Sequence, residues 1–230
     1  DVLGYINVFN DTTSIRKADD ELKESLTEKE MLLGEINKRL RNYMQMIAGL
    51  LELQSIYLED AEGSRTLHEG QNRLKAMLLI HEGLSKSDDL AIIDFTRFVK
   101  KLKKQLMEFY DLEDDQVDLK TKLEGIMLDI DTAIPCGLIV NELLTQSFKN
   151  TANGQPVSVN LTLGLDSSGH YNLLYEDSSE GISGGLITEN DDSMIILRTL
   201  VNQLMGDIKI SSKTPVIEIS WFNPEYLELL

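Results

Sequence analysis

Cationic residues are scarce in this chain: 22 lysines and arginines face 39 aspartates and glutamates, for a formal charge of −17. That deficit disfavours nucleic acid and anionic membrane as partners, because like charges repel at long range. A single cysteine, Cys136, excludes an internal disulfide and fits a reducing, cytoplasmic compartment. The three histidines, His68, His81 and His170, are scattered and offer no zinc-type ligand spacing. No apolar run approaches the roughly 18 residues that cross a bilayer, and no basic-then-apolar leader opens the chain. Hydrolase chemistry is not indicated either, since no serine sits in a strand–turn–helix nucleophile context. What remains is a 230-residue globular sequence with 42% hydrophobic content, enough for one large or two small domains.

The first segment, Val2–Phe9, is β-branched and aromatic and reads as a strand. A lone strand is not stable alone, so residues 1–13 are expected to be the last strand of a longer sensor domain. A polar stretch from Asn10 to Ser14 then supplies helix caps. Leu22, Leu26, Lys29, Leu33, Ile36, Leu40, Tyr43, Ile47 and Leu50 follow at alternating spacings of four and three. This is a heptad seam with one polar interruption, and it calls for partner helices. A second helical pattern runs from about Ser64 to Ser85, after a turn placed at Glu59–Gly63. An isolated hairpin leaves its stripes open, so pairing two copies into a four-helix bundle is the natural way to cover them.

Beyond Asp89 the texture changes. Phe95, Phe98, Leu102 and Leu106 mark one helix, and Thr132–Asn150 and Ser193–Met205 two more. Strand-like alternation recurs at Val117–Leu119, Ile126–Ile130, Val157–Leu163, Tyr171–Tyr175, Ile208–Ile210 and Val216–Trp221. The expected architecture is α+β in two domains: a helical hairpin over 14–93, then an α/β sandwich over 94–230.

The run from Leu33 to Gln45 resembles the dimerisation and phosphoacceptor helix of the HisKA_2 class of histidine kinases. That class carries Glu-Ile-His-His-Arg-Val-Lys-Asn-Asn-Leu-Gln, and Glu35, Ile36, Arg39, Asn42 and Gln45 match it. Leu50–Ser55 and Leu78–Leu84 also fit the class, and Ala133–Leu144 resembles the opening of its ATP-binding helix. The opening strand and Asp11–Ser14 are similar to the end of a PAS sensor domain. The resemblance implies a cytoplasmic homodimer built through the hairpin, with ATP and Mg²⁺ as ligands and a response regulator as partner. No membrane contact is expected within this stretch.

Several residues depart from the class. Its two adjacent histidines correspond to Asn37 and Lys38, the second being the usual acceptor. Phosphate acceptance needs an imidazole nitrogen with a free lone pair, and neither an amide nor a protonated amine supplies one. The seam places Lys38 at an outward f position, so accessibility is kept while the chemistry is lost. In the nucleotide site the resemblance implies Asn141, Glu142, Gln146, Lys149, Asp177, Gly181 and Ser193. Gln146 stands where an asparagine would hold Mg²⁺ and is the one metal-ligand candidate, a methylene too long for a small octahedral ion. Asp177 matches the adenine-contacting aspartate, but Ser179 replaces the first glycine of Asp-x-Gly-x-Gly. Ser193 replaces the glycine that opens the phosphate-receiving helix, with Asp191 and Asp192 just before it. Carboxylates there compete with phosphate for the helix amides. Residues 183–192 correspond to the ATP lid.

Three readings follow. The first is a pseudokinase that relays sensor state by contact with a partner. The second is an ATP-dependent kinase that phosphorylates His68, another residue or a partner protein. The third, ranked last, is a phosphotransfer protein, which would need an exposed histidine where Lys38 stands. His81 on the apolar stripe reads as a packed helix residue, His68 as surface and His170 as a turn.

Overall fold

The computed structural model describes residues 13–58, 60–84, 92–151, 156–178, 192–211 and 216–223. The strand expected over Val2–Phe9, residues Ser179 to Gly181 and the lid up to Asp191 lie outside the described residues. The described chain falls into two compact units, one ending at Tyr43 and the other beginning at Met44.

Helix α1 (Thr13–Tyr57) carries the heptad seam. In the first unit its surface is held by i,i+4 pairs, Asp19 with Lys23 and Glu35 with Arg39, both at 2.6 Å. Such exposed pairs add only a few tenths of a kcal/mol each. The seam side chains stand open: Leu40 is 40% exposed, and Ile36, Tyr43, Ile47 and Leu50 more so. The buried positions of α1 in the second unit are Met44, Ala48 and Ser55, a different stripe. That stripe faces helix α2 (Ala61–Leu84), where the Gln71 amide donates to Ala48 O at 3.5 Å and to Glu52 Oε2 at 3.0 Å.

Helix α2 begins three residues earlier than its apolar pattern predicts. Asp60 caps it, accepting from Gly63 N at 2.9 Å through its side chain and from Ser64 N at 3.0 Å through its carbonyl. A cap overrides the hydrophobic period because it satisfies amides that have no helical partner.

A short strand β1 (Ile92–Asp94) precedes α3 (Phe95–Tyr110) and pairs antiparallel with β3 (Met127–Asp129). The strand expected over Ile126–Ile130 is cut short because Asp129 Oδ1 takes the Thr132 amide at 2.9 Å, which starts α4 (Ile130–Thr151) there. The main sheet has the order β2-β4-β5-β7-β6, with β2 (Val117–Lys122), β4 (Val157–Leu165), β5 (His170–Asp177), β6 (Asp207–Ile210) and β7 (Val216–Phe222). The β2–β4 pair is parallel and the others are antiparallel. Alternation puts Val159, Leu161, Leu163, Leu173, Tyr175, Ile217 and Ile219 on one buried face. Helix α4 and α5 (Asp192–Gln203) belong to the layer over that face. Helix α4 is buried almost all round, as its continuous apolar sequence requires. Ala76 and Ile80 of α2 enter the same core.

Candidate functional site

Residues Glu142, Gln146 and Lys149 recur at spacings of four and three on α4, and so share one face. Each makes a polar bond to a side chain outside α4. Glu142, with a side chain only 3% exposed, receives a two-pronged bond from Arg73 of α2, Nε to Oε1 at 2.8 Å and Nη2 to Oε2 at 3.0 Å. Lys149 Nζ lies 2.9 Å from Glu69 Oε1, also on α2, and Arg65 Nε approaches the same carboxylate at 3.9 Å. Between them the Gln146 amide donates to Ser193 Oγ at 2.6 Å, joining α4 to the first turn of α5. The two positions that depart from the class pattern here are therefore bonded to each other.

Asp177 ends β5 on the buried face of the sheet, in register with Val159. A carboxylate there needs donors. Ser147 Oγ donates to Asp177 Oδ2 and also lies 2.6 Å from Tyr175 OH. The Tyr175 hydroxyl in turn donates to Leu143 O at 3.1 Å, tying strand to helix. Burial, and next the charge of Asp177, push the Tyr175 phenol well above its usual range, which the Ser147 hydrogen bond opposes. The phenol is accordingly neutral and able to donate.

Asn141 is buried beside this face, its Nδ2 reaching Glu142 Oε1 at 3.4 Å. Asn37 is half-buried and Lys38 exposed on α1, in the other unit. Gly181 lies outside the described residues. The structure thus places Glu142, Gln146 and Lys149 on one face of α4 and bonds Ser193 to Gln146. Arg73, Glu69 and Ser147 join the site without having been singled out in the sequence. Arg73 and Glu69 offered one weak signal, opposite charges four apart on one helix.

His68, expected at the surface, is half-buried: its Nε2 lies 3.1 Å from Ser55 Oγ and its ring meets Phe109 edge-on at 5.9 Å. Helix α3 supplies that cover, which no local pattern announces. His68 also lines a cavity of about 510 Å³ with Arg65, Glu69, Tyr110 and Lys149. His81 is buried on α2, in keeping with a packed role. Among the described residues no group of three or more His, Cys, Asp or Glu side chains has the arrangement of a metal site, and no helix is long and apolar enough to cross a membrane.

An α1–α2 hairpin followed by a mixed sheet layered with helices is the architecture of histidine-kinase signalling cores, and residues 35–110 match the HisKA_2 family, described as histidine kinase. Over this segment, a third of the chain, the sequence is similar to that family. More particularly, it is similar to the sensor histidine kinase PdtaS of Mycobacterium tuberculosis, 24% identical over 209 residues that cover 87% of this chain. PdtaS of Mycolicibacterium smegmatis is likewise 24% identical, over 204 residues and 86% of this chain. The chain spans 39% of the length of these relatives. In fold it is similar to the histidine kinase domain of the Erythrobacter litoralis EL346 blue-light activated histidine kinase, with a TM-score of 0.56 and 19% identity over 85% of this chain and 95% of that one.

Proposed function

We propose that this chain is a histidine-kinase-family signalling module that does not phosphorylate itself and relays the state of a sensor by contact with a partner. The observation that carries this reading is the 2.6 Å bond between Gln146 and Ser193. Histidine kinases generally bind ATP with Mg²⁺. In this chain the side chain at the metal-holding position donates its amide to a serine that replaces the phosphate-receiving glycine. Glu142 and Lys149 are held by Arg73 and Glu69, and Asp177 by Ser147. The residues as they stand do not fit Mg-ATP. Asn37 and Lys38 add the loss of the imidazole nucleophile.

Relay by contact requires two arrangements of the hairpin with different affinity for the partner. Family members typically dimerise and signal to response regulators. The open seam of α1 supports a homodimer through the hairpin, and a response regulator is the partner class. The kinase reading with His68 as acceptor is the less supported one, because its Nε2 is engaged by Ser55 and its ring is packed on Phe109.

The test is incubation of the chain with Mg-ATP labelled at the γ-phosphate. No label retained on the protein is the expected result. Stable labelling that disappears in Asp177→Asn would overturn the proposal.

A further inference from the structure

Helices α2 and α4 are antiparallel where they meet. Glu69 faces Lys149, Arg73 faces Glu142, and further along α2 Ile80 approaches Gly137. The approach at Gly137 is close: a Cβ there would lie 2.8 Å from Ile80 Cδ1 and 3.0 Å from the Phe98 ring. The charges have the same chain order on the two helices, negative then positive on α2 and negative then positive on α4, so both pairs are satisfied only when the helices run antiparallel in this register.

Sliding α2 by one helical turn shows what the pairs decide. In one direction Arg73 moves into the place of Glu69, one turn away on α2, and so stands beside Lys149, cation beside cation. In the other it comes level with the buried Leu138 and Ile139, and Glu142 loses its partner. A buried carboxylate without its cation is strongly destabilised. Helix α2 is therefore docked on α4 in one discrete position, and the residue withheld by that docking is Glu142.

We propose that Glu69 and Arg73 are positioning residues, a charge clasp by which α2 closes the polar face of α4 to nucleotide. The proposal rests on the reading of that face as the former nucleotide side. Movement of α2 past α4 must break both pairs together. While they hold, both oxygens of Glu142 and the ammonium of Lys149 are taken by α2 side chains. The Gln146–Ser193 bond is a second, separate closure, made by α5 and not by the hairpin.

The two closures can be separated experimentally. A parent variant of the full chain, Gln146→Asn with Ser193→Gly, removes the α5 closure and leaves the clasp. Arg73→Gln, and independently Glu69→Gln, are then added to it. Glu69→Gln serves as the milder change, since the carboxylate of Glu142 keeps its arginine. Mg-ATP is titrated calorimetrically into each protein, with circular dichroism confirming the fold. If the clasp governs access, the open fraction rises and apparent affinity tightens, by about tenfold for Arg73→Gln if one molecule in ten is open in the parent. Glu69→Gln gives a smaller gain in the same direction. Binding no tighter than the parent in both variants, including no binding anywhere, would overturn the clasp. Labelling of the unsubstituted chain from γ-phosphate is read in parallel: tighter binding in the variants with no label on that chain sustains clasp and function together, whereas label on that chain overturns the functional reading and leaves the clasp standing.

Discussion

On the proposed reading Gln146 and Ser193 each replace one side chain of a nucleotide site, and together they make one hydrogen bond, 2.6 Å long, between α4 and α5. Each change alone would leave a polar group to be satisfied at the edge of the core; as a pair they satisfy each other. The same logic governs Ser147, whose hydroxyl serves both Asp177 and Tyr175. Tyr175 makes a pH prediction at this scale. Its phenol is raised above 10.0 by burial first and by Asp177 second. A raised acid of this kind contributes stability that is complete below the unfolded value and declines as pH climbs through the folded one. Alkaline titration followed by phenolate absorbance and far-UV circular dichroism should show the last phenolate step coinciding with unfolding, above pH 10.0. Full ionisation of every tyrosine in a protein that keeps its fold would contradict this. Cys136 is coupled to folding in the same way: burial alone pushes its thiol up.

At the scale of elements, α4 joins sheet, hairpin and site. Its apolar continuity was legible from Ala133 to Leu144, because a helix buried on every side must be apolar on every side. Apart from β2, which runs three residues past the expected Leu119, the strands with an alternating pattern were legible to within a residue or two, since alternation is enforced by burial of one face. The short strand β1 was not, because three residues carry no period of their own and form only when β3 is alongside. The start of α2 was misread by three residues because Asp60, not an apolar residue, decides it. Close approach of α2 to α4 yields the second prediction. Gly137→Ala pushes a methyl into Ile80 and Phe98, and overpacking of this kind costs about 1–3 kcal/mol. Urea unfolding should show that loss, and adding Ile80→Val, which removes the methyl 2.8 Å away, should return part of it. An unchanged midpoint for Gly137→Ala would mean the helices can separate freely at this point.

At the scale of the whole molecule, the seam of α1 is an extended piece of unfinished packing among the described residues. Leu22, Leu26, Leu33, Ile36, Leu40, Tyr43, Ile47 and Leu50 are all at least 40% exposed in the single chain. A contiguous apolar stripe at heptad spacing marks an association surface. Sedimentation should therefore report a dimer for the chain and a monomer for Leu40→Glu with Ile47→Glu, the sheet and its far-UV signature being preserved. A monomeric wild type at the same concentration would remove the homodimer from the proposed function.

The sequence by itself determined the long seam of α1, the mixed helices and strands that follow, and the absence of imidazole at Asn37 and Lys38. Each of these is local: a period, a propensity or the chemistry of one side chain. Only the tertiary structure decided that Gln146 meets Ser193 across 47 residues, and that Arg73 meets Glu142 across 69. A polar pair of that kind has no sequence signature, because nothing in the sequence ties one partner to the other. Its partner is chosen by how α2, α4 and α5 settle on one core, and burial then makes the pairing obligatory by raising the cost of leaving either group unbonded.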